Sequence, residues 1–227
     1  MQGSVLTPGQ SSIPSLMRKS HWMSALVGVV LLILTGSGTA APALVGDSAA
    51  ARDLARETIL STAHYKIPLV RLTREDGKSI LLPEEMNDGR PVVLNFIFTS
   101  CSSVCPLMSE VFSQFARKLG TERDKVHMMS ISIDPEEDTP ARLREYAHKF
   151  KAGPEWQHYT GTVEASVAAQ RAFGAYYGNK MTHTAVTLLR AAPDTPWVRL
   201  DGFVTPDELL EQYRQMLQQH TQALATR

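Results

Sequence analysis

Runs of apolar residues alternate with polar, turn-forming stretches along most of the chain. From Val92 to Phe98 every residue except Asn95 is apolar, which is typical of a strand covered on both faces. The segment Val126–Ile133 predicts a second central strand. Between these strands apolar residues recur at helical spacing, so a helix is expected to connect them. The residues at this spacing are Leu107, Val111, Phe112, Phe115 and Leu119.

Turn and capping signals complete the outline on either side of these strands. Asp76-Gly77 predicts one hairpin, and Pro193-Asp194 predicts a closing hairpin further along the chain. Thr139-Pro140 and Thr205-Pro206 each place a capping residue before a proline, which is typical of a helix start. Strands separated by helices pair in parallel, whereas hairpins add antiparallel edges. The expected fold is therefore α/β, a mixed sheet flanked by helices that resembles the thioredoxin-like fold.

The first 46 residues differ in composition from the rest. No charged residue occurs from Ser20 to Gly46, Arg18 and Lys19 lie just before this stretch, and its apolar centre Ala25–Leu34 is followed by small residues. This order is typical of a secretory signal. The centre is shorter than the ~20 residues of a membrane-spanning helix, but the whole uncharged stretch is long enough. An uncleaved membrane anchor is therefore a close alternative.

Both interpretations place the remaining chain outside the cytoplasm, because basic residues before an apolar segment stay on the cytoplasmic side. We divide the chain into residues 1–46, a signal peptide or single membrane anchor with a short linker, and residues 47–227, a folded domain. Asp47 to Thr62 has only a thin apolar stripe and is expected to be helical or loosely ordered.

The charge balance and the cysteine count exclude two classes of protein. The 227 residues include 23 Lys+Arg and 23 Asp+Glu, so the formal net charge is zero. A nucleic-acid binder that works through general electrostatics carries a basic excess, so no nucleic-acid partner is expected. Only two cysteines occur, which excludes a small domain built on several disulfides. What remains is a globular domain with one cysteine pair.

That pair, Cys101 and Cys105, lies between the predicted strand and its helix and is followed by Pro106. In open α/β sheets, reacting groups favour the crevice at the carboxyl ends of the strands. The amino end of a helix stabilises a thiolate and lowers a cysteine pKa. A thiolate is both a nucleophile and a soft metal ligand, so redox chemistry and metal binding are both open. A purely structural disulfide is disfavoured, because a bridge that closes so short a loop removes little conformational entropy from the unfolded chain.

A third ligand would extend the metal chemistry of this pair. Two sulfurs suffice for Cu(I), and a nitrogen donor would also allow Cu(II). His183 directly precedes the predicted strand Thr184–Leu189, whose start faces the cysteine loop in a thioredoxin-like arrangement. For Met108 and Met181 we favour a core position over a thioether ligand. Structural or solvated positions are favoured for His127, His148, His158 and His220.

Three segments, in order, resemble the Sco/SenC family of copper proteins. Phe98-Thr99-Ser100-Cys101-Ser102-Ser103-Val104-Cys105-Pro106 resembles the cysteine motif of that family, and Ser132-Ile133-Asp134-Pro135-Glu136-Glu137-Asp138-Thr139-Pro140 resembles its second motif. His183 matches the distal histidine of the family. The similarity extends from about Ile67 to Leu217. The chain differs at Ser102, where the family often has proline, and at Thr182, where it usually has an acidic residue.

The resemblance implies copper, as Cu(I) or Cu(II), bound by Cys101, Cys105 and His183. It also implies delivery of that copper to a subunit of cytochrome c oxidase, from the periplasmic side of a membrane. Two roles are open for Asp134: it could lie beside the metal and orient a ligand, or it could be a turn residue before Pro135. Because a four-residue separation lies within bridging range, Cys101 and Cys105 are expected to form a disulfide in an oxidising compartment.

Other functions remain open beside copper delivery. The main rival is a thiol–disulfide oxidoreductase that reduces the cysteines of a partner protein. Enzymes of that kind generally carry Cys-x-x-Cys and a proline before the facing strand, whereas this chain has Cys-x3-Cys and His183-Thr184. Both differences favour metal binding over redox turnover. A copper sensor is a third class, and a Cys2His set would also suit zinc.

Overall fold

The computed structural model describes residues 58–226. These residues form one eight-stranded mixed sheet, in which the strands lie in the order β1-β8-β7-β4-β5-β6-β2-β3. The predicted signal or anchor segment lies outside the described residues. The strands are β1 Ile59–Ala63, β2 Arg71–Arg74, β3 Ser79–Leu81, β4 Val92–Ile97, β5 His127–Ser132, β6 Trp156–Gly161, β7 Val186–Arg190 and β8 Trp197–Asp201.

The two strands predicted to be central are the middle of this sheet. β4 and β5 are buried at every position and pair in parallel, from Val92 opposite His127 to Ile97 opposite Ser132. β6 continues the parallel arrangement beside β5, and β7 runs antiparallel on the other side of β4. Both faces of β4 and β5 are covered, and β4 is accordingly apolar at every position except Asn95. β5 instead carries three buried polar residues, His127, Ser130 and Ser132. The predicted mixed sheet is confirmed.

Within residues 58–226, five α-helices flank the sheet, and the two predicted capping residues lie at the starts of their helices. The Thr139 hydroxyl accepts a hydrogen bond from the backbone N–H of Arg142, and Thr205 forms a full capping box with Glu208. The helices are α1 Leu82–Met86, α2 Val104–Leu119, α3 Pro140–Lys149, α4 Val163–Ala172 and α5 Pro206–Ala225. None of the helices within residues 58–226 is both long enough and apolar enough to span a bilayer.

The edges of the sheet include one departure from the expectation. β2 and β3 form the predicted hairpin, and Gly77 adopts the left-handed conformation that its turn requires. The segment Ile59–Ala63, expected to be helical or loosely ordered, is instead edge strand β1 and pairs antiparallel with β8. Four of its five residues are exposed, so its sequence has no buried apolar alternation and gives little signal of a strand.

Apolar side chains form a core on each face of the sheet. On one face, Phe112 and Phe115 of α2 pack near Trp156 and Tyr213, with ring centroids 5.6 and 5.4 Å apart respectively. On the other face, Phe173 packs against Trp197 and other apolar side chains. The first core holds α2 firmly against the sheet, and the cysteine pair lies at the amino end of this helix.

Candidate metal and thiol site

The cysteine loop joins the end of β4 to the start of α2. The backbone N–H of Cys101 donates to the carbonyl of Phe98 at 3.2 Å, which turns the chain directly after the strand. Cys105 lies in the first turn of α2, and its backbone N–H lies 3.5 Å from the Sγ of Cys101. Both residues are free cysteines. Cys101 is partly exposed, whereas Cys105 is only 1% exposed.

The two thiols have opposite electrostatic environments. Partial burial by itself would raise the pKa of Cys101, but hydrogen bonds from the backbone N–H groups of Cys105 and Ser103 outweigh it, and the pKa falls below its usual value. Burial raises the pKa of Cys105 far above its usual value, and the neighbouring Cys101 raises it further. Cys101 is therefore the thiol of the pair that ionises more readily, and Cys105 is the one that holds its proton more tightly.

A buried carboxylate, Asp138, fixes the position of the loop, and no signal in the sequence distinguishes it from its acidic neighbours. Asp138 accepts a 2.5 Å hydrogen bond from the Thr99 hydroxyl and a 2.6 Å hydrogen bond from the Ser132 hydroxyl. The backbone N–H of Thr99 lies 3.2 Å from each carboxylate oxygen. Asp138 is inaccessible to solvent. It therefore ties the residue two positions before Cys101 to the end of β5.

His183 lies beside the end of β4, after a short 3-10 helix at Lys180–Thr182. Its Nε2 lies 3.0 Å from the carbonyl oxygen of Phe96, so this nitrogen carries the proton and donates it. Its Nδ1 is buried and has no hydrogen-bond partner among the described residues. Burial lowers the pKa of His183, although the Phe96 carbonyl acts in the opposite direction, so the ring is held neutral. Metal-ligating histidines typically donate one ring N–H in this way and keep the other nitrogen free.

The predicted ligands are not assembled into a closed metal site. Within residues 58–226, no group of three His, Cys, Asp or Glu side chains has the geometry to hold a metal ion. His183 lines a cavity of about 560 Å³ together with Asp134, Lys180 and Tyr177, and neither cysteine lines it. The structure thus brings Cys101 and Cys105 together, and within residues 58–226 it does not join His183 to them in a group that could hold a metal.

Comparison with known proteins identifies the family. The SCO1/SenC family profile matches residues 68–218, which is more than half of the chain. The chain belongs to the SCO1/SenC family. A SCO1 protein homolog of Bacillus subtilis is 29% identical over 112 residues, which cover 49% of this chain and 57% of that protein. The mitochondrial SCO2 homolog of Mus musculus is 35% identical over 91 residues, which cover 39% of this chain and 35% of that protein. The matched segments thus span 57% of the first relative and 35% of the second.

Solved structures of Sco proteins share the fold. Arabidopsis thaliana ScoI with copper bound has a TM-score of 0.56 at 26% identity, over 66% of this chain and 96% of that chain. BsSco, described as having a disulfide switch and as a member of the Sco family of cytochrome c oxidase assembly proteins, has a TM-score of 0.58 at 23% identity. That match covers 70% of this chain and 98% of that chain. The predicted thioredoxin-like fold of the Sco/SenC family is confirmed.

In this Sco/SenC chain, Asp134 is a turn residue, one of the two roles that the sequence left open, and it also forms an ion pair. Its carbonyl oxygen accepts hydrogen bonds from the backbone N–H groups of Glu137 and Asp138, as a turn residue does. Its carboxylate lies 2.5 Å from the Nζ of Lys180, three residues before His183. The Lys180 ammonium also lies 5.9 Å from the ring centre of Phe98, which leads into the cysteine loop. Asp134 and Lys180 therefore connect the second motif to the segment that carries His183.

The remaining candidate ligands divide into buried and exposed residues. Met108 is 3% exposed, as expected of a core residue, whereas Met181 is 74% exposed, so the core assignment of Met181 was wrong. The loop before β7 turns Met181 outward, which its apolar character does not reveal. His127 and His158 are buried in strands, and the Nε2 of His127 lies 2.9 Å from the Tyr159 hydroxyl.

Proposed function

We propose that this chain is an extracytoplasmic copper-binding protein that holds copper through Cys101, Cys105 and His183. The observation that carries the proposal is the state of these donors before any metal is bound. Cys101 is a thiol of lowered pKa beside Cys105, and His183 is a neutral imidazole with an unpartnered Nδ1. Ligands of this kind must be deprotonated to bind a metal. Cys101 and His183 need little free energy to reach that state, whereas the pKa of Cys105 is raised by burial, so Cys105 would give up its proton only as the metal binds.

The donor types suit copper in both oxidation states. The soft sulfurs of Cys101 and Cys105 match Cu(I), and the imidazole of His183 adds the nitrogen donor that Cu(II) prefers. The proposal requires the His183 segment to approach the cysteine loop, and the Lys180–Asp134 ion pair lies at the base of that segment. The copper bound by Arabidopsis ScoI, a structure of the same fold, supports copper over zinc.

The proposed role is that of a metallochaperone that hands copper to a subunit of cytochrome c oxidase. Support comes from the description of BsSco as a member of a family of cytochrome c oxidase assembly proteins. Residues 1–46 would export the domain, residues 47–227, and either attach it to the periplasmic side of the membrane or be removed. Transfer to a recipient would use the partly exposed Cys101 as the first point of exchange, because Cys105 is covered.

A thiol–disulfide oxidoreductase is the second candidate function, favoured by the unequal thiols. An exposed thiol of low pKa with a buried neighbour of high pKa is the arrangement in which one cysteine attacks and the other resolves. In that reaction Cys101 attacks a partner disulfide, and Cys105 then displaces the reduced partner. The products are a Cys101–Cys105 disulfide in this chain and two thiols in the partner.

Replacing His183 with alanine separates the two functions. In the copper-binding function, His183→Ala weakens Cu(II) binding at least tenfold and leaves Cu(I) binding nearly unchanged, because the sulfurs remain. Competition titrations against chelators of each oxidation state measure the difference, and His148→Ala is the control because His148 is exposed on α3. If His183→Ala and His148→Ala both leave the Cu(II) affinity and spectrum unchanged, His183 is not a ligand. The oxidoreductase function would then be the better supported of the two.

A further inference from the structure

Arg190, the last residue of β7, is a buried cation that forms no salt bridge with any residue of the described range 58–226. Its side chain is 3% exposed. The charges of Asp194 and Asp88 favour its ionised form, but both carboxylates lie beyond salt-bridge distance. One guanidinium nitrogen donates to the carbonyl of Met86 and, at 2.8 Å, to the amide oxygen of Asn87. The guanidinium carbon lies 4.9 Å from the centre of the Trp197 ring. Its Nε is buried and unpartnered.

This arrangement leaves a positive charge only partly compensated. Carbonyl and amide oxygens and an aromatic face stabilise a guanidinium, but each supplies only a dipole or a quadrupole. Buried charges in proteins are otherwise paired with an opposite charge, because desolvation of an isolated ion is costly. A guanidinium presents several donors in a fixed fork that matches carboxylate and phosphate oxygens. Arg190 therefore has the chemistry of an anion-binding group.

A cavity of about 350 Å³ adjoins Arg190 and is large enough for a small anion. Lys66 and His64 line it from the segment after β1, and both are exposed. Thr195 of the β7–β8 turn also lines the cavity, but its hydroxyl donates to the carbonyl of Ala192 at 2.7 Å and is not free for a ligand. The other polar lining residues include Tyr65, Asn87 and Asp194.

The cavity is separate from the copper site. Arg190 pairs with Val92 at the start of β4, whereas Cys101 and Cys105 follow the end of that strand. The two sites therefore lie toward opposite ends of the sheet. A ligand bound beside Arg190 would leave the cysteines and His183 uncovered.

We propose that this cavity binds a small oxyanion, a phosphate or a carboxylate, through Arg190 and Lys66. The guanidinium of Arg190 supplies the buried, oriented donor, and the ammonium of Lys66 supplies a second charge at the entrance. Asp194 lines the same cavity and disfavours large polyanions, so the ligand carries one or two charges. The proposal concerns a second ligand and does not depend on copper binding.

Thermal unfolding of the full chain in mild detergent tests the proposal, with inorganic phosphate and acetate as separate probes at constant ionic strength. A specific site raises the unfolding midpoint with increasing probe concentration, because binding stabilises the folded state. Stronger stabilisation by phosphate assigns a phosphate site, and stronger stabilisation by acetate assigns a carboxylate site. Calorimetric titration then gives the dissociation constant for the preferred probe.

Variants of the lining residues distinguish a built site from general charge. Arg190→Lys is expected to weaken binding of the preferred probe at least tenfold, because lysine lacks the planar fork. Lys66→Gln is expected to weaken it several-fold without lowering the stability of the ion-free protein, since Lys66 is exposed. The Lys66→Gln variant therefore still tests the proposal if Arg190→Lys fails to fold. Arg214→Gln, which removes an exposed charge from α5, is the matched control and is expected to bind as tightly as the original chain.

Three results would overturn the proposal. The first is the absence of any saturable stabilisation by either probe, and the second is equal stabilisation of the original chain and of Lys66→Gln. The third concerns Asp194: if Asp194→Asn lowers the unfolding midpoint and leaves probe binding unchanged, Asp194 is the internal counter-ion of Arg190. The proposal instead expects Asp194→Asn to bind the probe more tightly, because a like charge has been removed.

Discussion

Replacing Asp138 with asparagine tests how the cysteine loop is held in place. Asp138 is fully buried and accepts hydrogen bonds from the Thr99 hydroxyl, the Thr99 backbone N–H and the Ser132 hydroxyl. Its two oxygens therefore face donors only. The Ser132 hydroxyl also accepts from the backbone N–H of Asp134 at 3.0 Å, so its own proton is directed at Asp138.

The cost of Asp138→Asn follows from these contacts. An asparagine keeps one acceptor oxygen and turns an NH2 group towards at least one donor, so one or two charge-assisted hydrogen bonds are lost. Each such bond contributes about 1.5–3 kcal/mol to stability. Relief from burying a charge offsets part of the loss, and we expect a net destabilisation of about 2 kcal/mol. In a domain of this size that is a fall of roughly 4–8 °C in the unfolding midpoint.

Denaturant unfolding of Asp138→Asn, followed by circular dichroism, measures this change. Glu137→Gln is the matched control, because it removes a neighbouring charge whose ion pair with Arg142 is exposed and contributes little. A second measurement is alkylation of Cys105, whose pKa is raised partly by the charge of Asp138. We expect faster alkylation in Asp138→Asn. A stability equal to that of Glu137→Gln, with an unchanged rate for Cys105, would refute the assignment of Asp138 as the anchor of the loop.

Four further measurements examine the thiols, the His183 segment and the core. Brief alkylation near neutral pH, read by peptide mass, should label Cys101 before Cys105, and equal labelling would contradict the unequal pKa values. Thiol counting before and after mild oxidation should show loss of both thiols together as one intramolecular disulfide. Lys180→Met should speed Cu(II) binding by releasing the ion pair with Asp134, and an unchanged rate would remove that pair from the mechanism. Burial lowers the pKa of His158 to about 3, so protonation destabilises the fold as the pH falls from about 6.5 towards 3. His158→Phe should reduce this loss, and an unchanged pH dependence of stability would contradict it.

The sequence by itself determined the centre of the fold and the cysteine pair. The apolar run of β4 predicts a covered central strand, since only strands packed on both faces need apolar residues at nearly every position. Threonine caps mark the starts of α3 and α5 because a helix leaves its first N–H groups unpaired. The position of Cys101 and Cys105 between a strand and a helix follows from the same local signals. The position of His183 before a predicted strand indicated a third ligand, and the resemblance to the Sco/SenC motifs supported it.

Only the tertiary structure decided the surroundings of these residues. The unequal pKa values of Cys101 and Cys105 arise from burial and from the direction of backbone N–H groups, and neither can be read from two identical letters in the sequence. The role of Asp138 depends on the pairing of β4 with β5, which brings Thr99 and Ser132 to the same carboxylate. Edge strand β1 is held in the sheet by its backbone hydrogen bonds to β8. Most of its side chains are exposed, so its sequence needs no apolar alternation. The buried charge of Arg190 is likewise a product of packing, since an arginine at a strand end is usually exposed.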